Sequence, residues 1–241
     1  MLQFAVYTTI HPGNRPFLKG WYTSVQAQSD QNFELWIGID DVSIGEACDL
    51  TGMAEDDAHW VPADEGDTPS EVRERAWRAM LPRTDAVVMT DGDDVLHVDR
   101  VKQSREDIAN ADIAGCALEL IDEEGKMLNT SMPPEACDTE NVLPYRNVFG
   151  LSNTAYRSSA LGTCLPLPQD TVLADWYLAT QAWLRGHKLH FNSAVGMFYR
   201  QHSDSTLAIL PPFTVQDIRR ATEIVQRHFA LVVNNMPLNA I

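Results

Sequence analysis

The chain has 241 residues, 18 of them basic against 34 acidic, for a formal net charge of −16. That length suits one large α/β domain or two small ones. A balance so acidic argues against a general nucleic-acid binder, because phosphate backbones demand a basic surface. The four cysteines, Cys48, Cys116, Cys137 and Cys164, are widely spaced and form no CxxC pair. They point to free thiols in a reducing compartment rather than to a zinc knuckle or redox motif.

In chain order, the opening enters a strand without a basic region followed by an apolar stretch, so no signal peptide is expected. No apolar run approaches membrane-spanning length, and no integral membrane segment is expected. The expectation is a cytoplasmic protein, with room for peripheral action at the inner face of a membrane. Phe4 to Thr9 reads as an apolar strand. Asn14-Arg15-Pro16 opens a helix whose Phe17, Trp21 and Val25 share one stripe. Phe33 to Ile39 is a second strand, ending at Asp40 and Asp41, and His59 to Val61 a short third. Thr68-Pro69-Ser70-Glu71 is a capping box, and its helix carries Val72, Ala76, Ala79 and Met80 inward. Ala86 to Thr90 is a fourth strand. This alternation predicts a mostly parallel sheet with right-handed crossovers and helices on both faces.

The second half changes character. Ile113 to Ile121 and Lys126 to Asn129 form a hairpin across Asp-Glu-Glu-Gly. Leu173 to Arg185 is a helix with Leu173, Trp176, Thr180 and Trp183 on one side, ended by Gly186. Phe191 to Tyr199 is another strand, and Phe213 to Val232 a terminal amphipathic helix. Trp21, Trp60, Trp77 and Trp183 are read as core aromatics.

The fourth strand runs straight into Asp91-Gly92-Asp93-Asp94. Crowded carboxylates repel, and a hard divalent cation with oxygen ligands relieves them. Ligands of open α/β sheets bind beyond the carboxyl ends of strands, where this cluster falls. The alternative is a solvated acidic turn. An EF-hand is excluded, since its sixth and twelfth positions would be Leu96 and Lys102.

Four blocks in order decide between these readings. They are FAVYTTIHPGNRPFLKGWYTSVQAQSDQNFELWIGIDDVS, SEVRERAWRAM, VVMTDGDDVLHVDRV and LADWYLATQAWLRGHKLHFNSAVGMFYRQHSDST. Together they resemble the family 2 glycosyltransferases. The resemblance implies a single Rossmann-like GT-A domain over 1–241. It would comprise a nucleotide-sugar half over 1–98, an acceptor half over 99–210 and a C-terminal helix over 211–241. It implies a metal-dependent, inverting transfer of sugar from a nucleotide-diphospho sugar, with UDP favoured, to a hydroxyl of a glycan or glycoconjugate.

Residue by residue, the resemblance makes Asp93 a ligand of Mn²⁺ or Mg²⁺. Asp91 becomes the first DxD acid, holding ribose or a metal-bound water, and His202 a further metal ligand. Asp41 would contact the base, Thr8 and Thr9 line the same pocket, and Arg75 reach the nucleotide with Arg73 as its alternate. Asp175 would be the general base, with Asp170 its alternate; the family often has Glu-Asp here, and this chain has Ala174-Asp175. Arg200 would meet the diphosphate, Asn147 to Arg157 would bind acceptor hydroxyls, and Asp94 is either a supporting acid or a turn cap. Two other classes remain: a non-catalytic relative that binds nucleotide or sugar, and a sugar nucleotidyltransferase. The second is disfavoured by a single glycine in the loop after strand one.

Overall fold

The computed structural model describes residues 2–133, 143, 145–169, 171–202 and 212–237. Four parallel strands form its first half: β1 (Phe4–Ile10), β2 (Phe33–Ile39), β3 (His59–Pro62) and β4 (Ala86–Met89), in the spatial order β3-β2-β1-β4. Every residue of β1 and β4 is buried. Phe4, Val6 and Ile10 join one core, with Leu18, Trp21 and Val25 of α1 (Leu18–Gln26). Ala5 and Tyr7 join the other, with Ala76, Trp77 and Met80 of α3 (Pro69–Met80). Alternate side chains thus leave the sheet toward two covered faces, which is why these strands read as continuous apolar runs.

The second half extends the same sheet with mixed pairing. β5 (Val95–Leu96), β6 (Ile113–Ile121), β7 (Met127–Met132), β8 (Thr154–Arg157) and β9 (Leu189–Arg200) complete the order β3-β2-β1-β4-β8-β6-β9-β5, with β7 paired to β6. β8 is antiparallel to both β4 and β6, whereas β6 and β9 are parallel. The remaining helices are α2 (Ile44–Thr51), α4 (Arg100–Ile108), α5 (Ser158–Thr163), α6 (Ala174–Leu184) and α7 (Val215–Asn234).

Some local expectations shift. The first helix begins at Leu18, because Pro12–Asn14 close a 3-10 turn first; the His11 N–H donates to Asn14 Oδ1 at 3.0 Å. The Thr68–Glu71 capping box forms as read, with Thr68 N–H to Glu71 Oε2 at 2.7 Å. α6 is buried on nearly all sides rather than along one stripe, because α7 covers it from outside: the rings of Trp176 and His228 stack at 4.2 Å and 16°. Trp21 and Trp77 are fully buried, and Trp60 and Trp183 pack half-buried against the two cores. Among the described residues no helix is long and apolar enough to cross a membrane.

Candidate active site

β4 delivers its acids into a loop held from three sides. Thr90 caps the strand: its hydroxyl donates to Tyr7 O at 3.1 Å and accepts Trp21 Nε1–H at 3.1 Å. The next N–H, of Asp91, donates to Ser152 Oγ at 3.1 Å. Asp94 is only 1% exposed; it takes the Arg200 backbone N–H at 2.8 Å and a short hydrogen bond from the Ser152 hydroxyl. It is a buried anchor of the loop rather than a cap of the following helix. Gly92 passes close to α1, where an added Cβ would lie 3.3 Å from Asn14 and from Leu18 side-chain atoms.

Asp93 turns the other way, its Oδ2 2.9 Å from His202 Nε2. The Arg200 side chain, expected at a diphosphate, is instead consumed by the protein. It donates to the carbonyls of Asp93 at 2.7 Å, Asp122 at 3.0 Å and Glu123 at 2.7 Å, and lies over the Phe17 ring. The guanidinium therefore straps the acidic loop to the turn of the β6–β7 hairpin.

Burial, reinforced by Asp93, pushes the Asp91 carboxyl up to about 6, against the opposing pull of Arg73. Burial and the two neighbouring acids push Asp94 well above the carboxylate range. A cluster in this state gains from a cation, since each raised value records the cost of crowding unneutralised charge. The carboxylate of Asp93 suits Mn²⁺ or Mg²⁺, and an imidazole such as that of His202 can serve a manganese-like ion. Yet among the described residues no three His, Cys, Asp or Glu side chains are grouped to hold a metal by themselves. Asp93 and His202 would make up only part of such an ion's donor set.

The cation that approaches the acids is Arg73, with Nη2 4.0 Å from Asp91 Oδ1. Arg75 does not reach them: it pairs with Asp64 and Asp67, both at 2.6 Å. Helix geometry explains the correction. At 100° per residue, Arg73 falls in the middle of the buried face formed by Val72, Ala76, Trp77 and Met80, and Arg75 falls on the far side. The seven-residue spacing from Arg73 to Met80 carried that information in the sequence.

Around the end of β2, Asp41 is exposed in the left-handed region at φ 51°, a conformation Asp tolerates. Asp40, one residue earlier, is the more buried acid; burial and Asp41 raise its carboxyl, and His11 lies near enough to oppose them. The strand stops at Ile39, so strict alternation does not extend to Asp40. Thr8 is fully buried with no hydrogen-bond partner for its hydroxyl, so it does not line an open surface; the Thr9 hydroxyl bonds Tyr7 Oη at 2.8 Å.

Asp175 sits in the first turn of α6, where the helix dipole favours a carboxylate. It shares one cavity of about 610 Å³ with Arg73, Asp91, Asn147, Ser152 and Tyr199. The cavity lies beyond the carboxyl end of β4. It therefore gathers acids separated by more than eighty positions in sequence. A second hollow, of about 680 Å³ beside the start of α7, holds none of the strand-end acids. Asp170 and Cys137 lie outside the described residues.

No protein-family model matches the chain, and no curated protein is significantly similar to it in sequence. Solved structures do match. Residues 1–349 of TarS from S. aureus, in complex with UDP-GlcNAc, superpose with a TM-score of 0.68 at 12% identity, covering 99% of this chain and 68% of that one. Against the longer S. aureus TarS structure the TM-score is 0.63 and this chain spans 46% of its length. The mannosyltransferase PcManGT from Pyrobaculum calidifontis, in complex with GDP-Man and Mn²⁺, superposes at 0.60 and 16% identity, covering 96% of this chain and 64% of that one. At such identities these likenesses establish the fold: a mixed α/β domain shared with glycosyltransferases.

Proposed function

We propose that the chain is a GT-A glycosyltransferase of the family 2 type. It would move a sugar from a nucleotide-diphospho sugar to a hydroxyl of a glycan or glycoconjugate, with inversion at the anomeric carbon. The observation that carries this reading is the shared cavity, which sets Asp91 and Arg73 opposite Asp175 at the strand ends. The structural neighbours, solved with UDP-GlcNAc and with GDP-Man and Mn²⁺, support the donor class.

In this reading Asp175 takes the proton of the acceptor hydroxyl as its oxygen attacks the anomeric carbon. The bond from that carbon to the β-phosphate oxygen breaks, and the nucleoside diphosphate leaves with the electron pair. Asp93 and His202 would hold the divalent metal, with Asp91 beside them on ribose or a metal-bound water. When bound, that ion supplies charge neutralisation to the departing diphosphate. Arg73 supplies a protein cation on the same side of the cavity. Asp41, with Asp40 beside it, would take the base's imide N–H as an acceptor-only carboxylate, in keeping with a UDP donor.

The test is calorimetric titration of UDP, GDP, CMP and TDP, each with and without Mn²⁺, followed by transfer assays with sugars on the nucleotide that binds. Metal-dependent binding of one diphosphate and release of that diphosphate on transfer are expected. Folded protein that binds none of them would instead indicate a non-catalytic relative.

A further inference from the structure

The segment from Asn147 to Arg157 is expected to meet the acceptor, yet several of its polar side chains bond within the protein. Asn153 Nδ2 donates to Cys116 O at 2.7 Å and Val148 O at 3.1 Å, and the Thr154 hydroxyl donates to Gly150 O at 2.7 Å. Ser152 serves Asp91 and Asp94. At the other end, Asn147 Nδ2 donates to Asp175 Oδ2 at 2.8 Å. Gly150 lies between these two ends, and a Cβ there would come 3.7 Å from that same carboxylate oxygen and 3.0 Å from Asn153 Oδ1. The segment is thus a spacer. One end grips the strand-end acids and the other grips the Asp of α6.

We infer that Asn147 is the positioning residue for Asp175; this rests on the glycosyltransferase reading above. The other carboxylate oxygen, Oδ1, already accepts the N–H of Trp176 at 2.8 Å. Trp176 is itself immobile, donating through Nε1 to Leu143 O at 2.9 Å and packed against His228 and Phe229. With Oδ1 fixed by the helix, the Asn147 amide determines the remaining rotation about the carboxyl group. It thereby sets the direction from which Oδ2 can receive a proton, and orientation of this kind governs proton transfer in a catalytic site. Among the described residues, the other titratable or charged groups near Asp175 are Asp91, Tyr156 and Tyr199, with Arg73 and Arg146 lining the same cavity.

The experiment compares wild type, Asn147→Ala and Asn147→Asp. The measurements are nucleotide-diphosphate affinity and kcat for transfer. Asn147→Asp keeps the volume and removes the donor. Both variants should bind nucleotide within about twofold of wild type and lose roughly 10- to 100-fold in kcat. Two results would overturn the inference: wild-type kcat in Asn147→Ala, or recovery by the isosteric Asn147→Asp, which would reveal a space-filling role. If wild type itself transfers no sugar, it is the glycosyltransferase reading that fails, so the two failures are distinguishable.

Discussion

The two acidic ends of the cavity are built in opposite ways. The loop after β4 is cross-linked: Asp91 and Asp94 share Ser152, Asp94 takes the Arg200 backbone, and the Arg200 side chain clamps the Asp93 carbonyl. Asp175 stands at the start of a helix, with one side-chain donor among the described residues, Asn147. A densely tied acid cluster suits a group that must keep its place while substrates come and go. A lightly held carboxylate suits one that must accept and release a proton. The contrast predicts that damage at the first end shows in binding and stability, and damage at the second in turnover alone.

The largest effects come from the acids themselves. Asp93→Asn is expected to abolish transfer together with metal-dependent nucleotide binding, since it removes an anionic donor without changing shape. Asp175→Asn is expected to retain nucleotide binding and lose transfer by about 10²–10⁴-fold, the usual contribution of a positioned base. Calorimetry and turnover on the same two preparations separate the roles. Full activity in Asp93→Asn would remove it from the proposed metal site, and unchanged turnover in Asp175→Asn would assign the base to another group.

Next in size is a pH effect from the layer behind Asp175. Burial against Trp176 lowers the His228 imidazole from its ordinary 6.5 to about 4. In the folded protein the ring stays neutral where the unfolded chain would protonate it. Between pH 6.5 and 4 the unfolded state therefore binds more protons, and stability falls as pH drops through that window. Above pH 6.5 the contribution is fully present. The loss should reach about 2–3 kcal/mol near pH 4. Urea melts at pH 4.5 and 7.0 on wild type and His228→Phe would show it, because Phe keeps a ring and removes the titration. An equal pH dependence in both proteins would place the effect elsewhere.

Ser152→Ala probes the tied end. It leaves the Asp91 N–H without its acceptor and Asp94 Oδ2 without its donor, with the Arg200 N–H still on Oδ1, at a cost of about 1–3 kcal/mol. Denaturation midpoints should fall accordingly, and nucleotide affinity should weaken with them. A variant as stable as wild type would mean that the loop is held by the Arg200 contacts alone.

How much of this was legible in the sequence follows from the range of each interaction. β1 and β2 were readable because both faces of the sheet are covered, so nearly every residue is apolar. The Thr68 cap was readable because its partners are three residues apart. α4 was not anticipated: of its four buried residues, Arg100 and Ser104 are polar, which leaves too little apolar stripe to see. β8 has four residues and takes its identity from β4 and β6 on either side, information held elsewhere in the chain. In the same way Asp91, Asp93 and Asp175 stand out as residue types in recognisable blocks. Ser152 and Asn147 act through contacts 61 and 28 positions away and have no local signature.

The smallest predicted effect tests the choice between Arg75 and its alternate, Arg73. Arg73 and Arg75 are two positions apart, so about 200° of helical rotation separates them. Arg73 enters the cavity at 4.0 Å from Asp91, and its Nε is buried without a hydrogen-bond partner. In the proposed function the guanidinium, with Nη2 toward Asp91, would meet a phosphate or ribose oxygen in the cavity. Arg73→Ala should therefore weaken nucleotide binding by about 10- to 100-fold, the range for a hydrogen bond to a charged group. Arg75 already spends its guanidinium on Asp64 and Asp67 at the surface. Exposed pairs of this kind contribute little, so Arg75→Ala should leave nucleotide affinity within about fivefold. Titrating both variants with the same diphosphate compares two arginines of one helix that differ only in the face they occupy. If Arg75→Ala were the more damaging, the acidic loop at Asp64–Asp67 would have to open on binding and release that arginine to the ligand, and the face of α3 that meets the nucleotide would change with it.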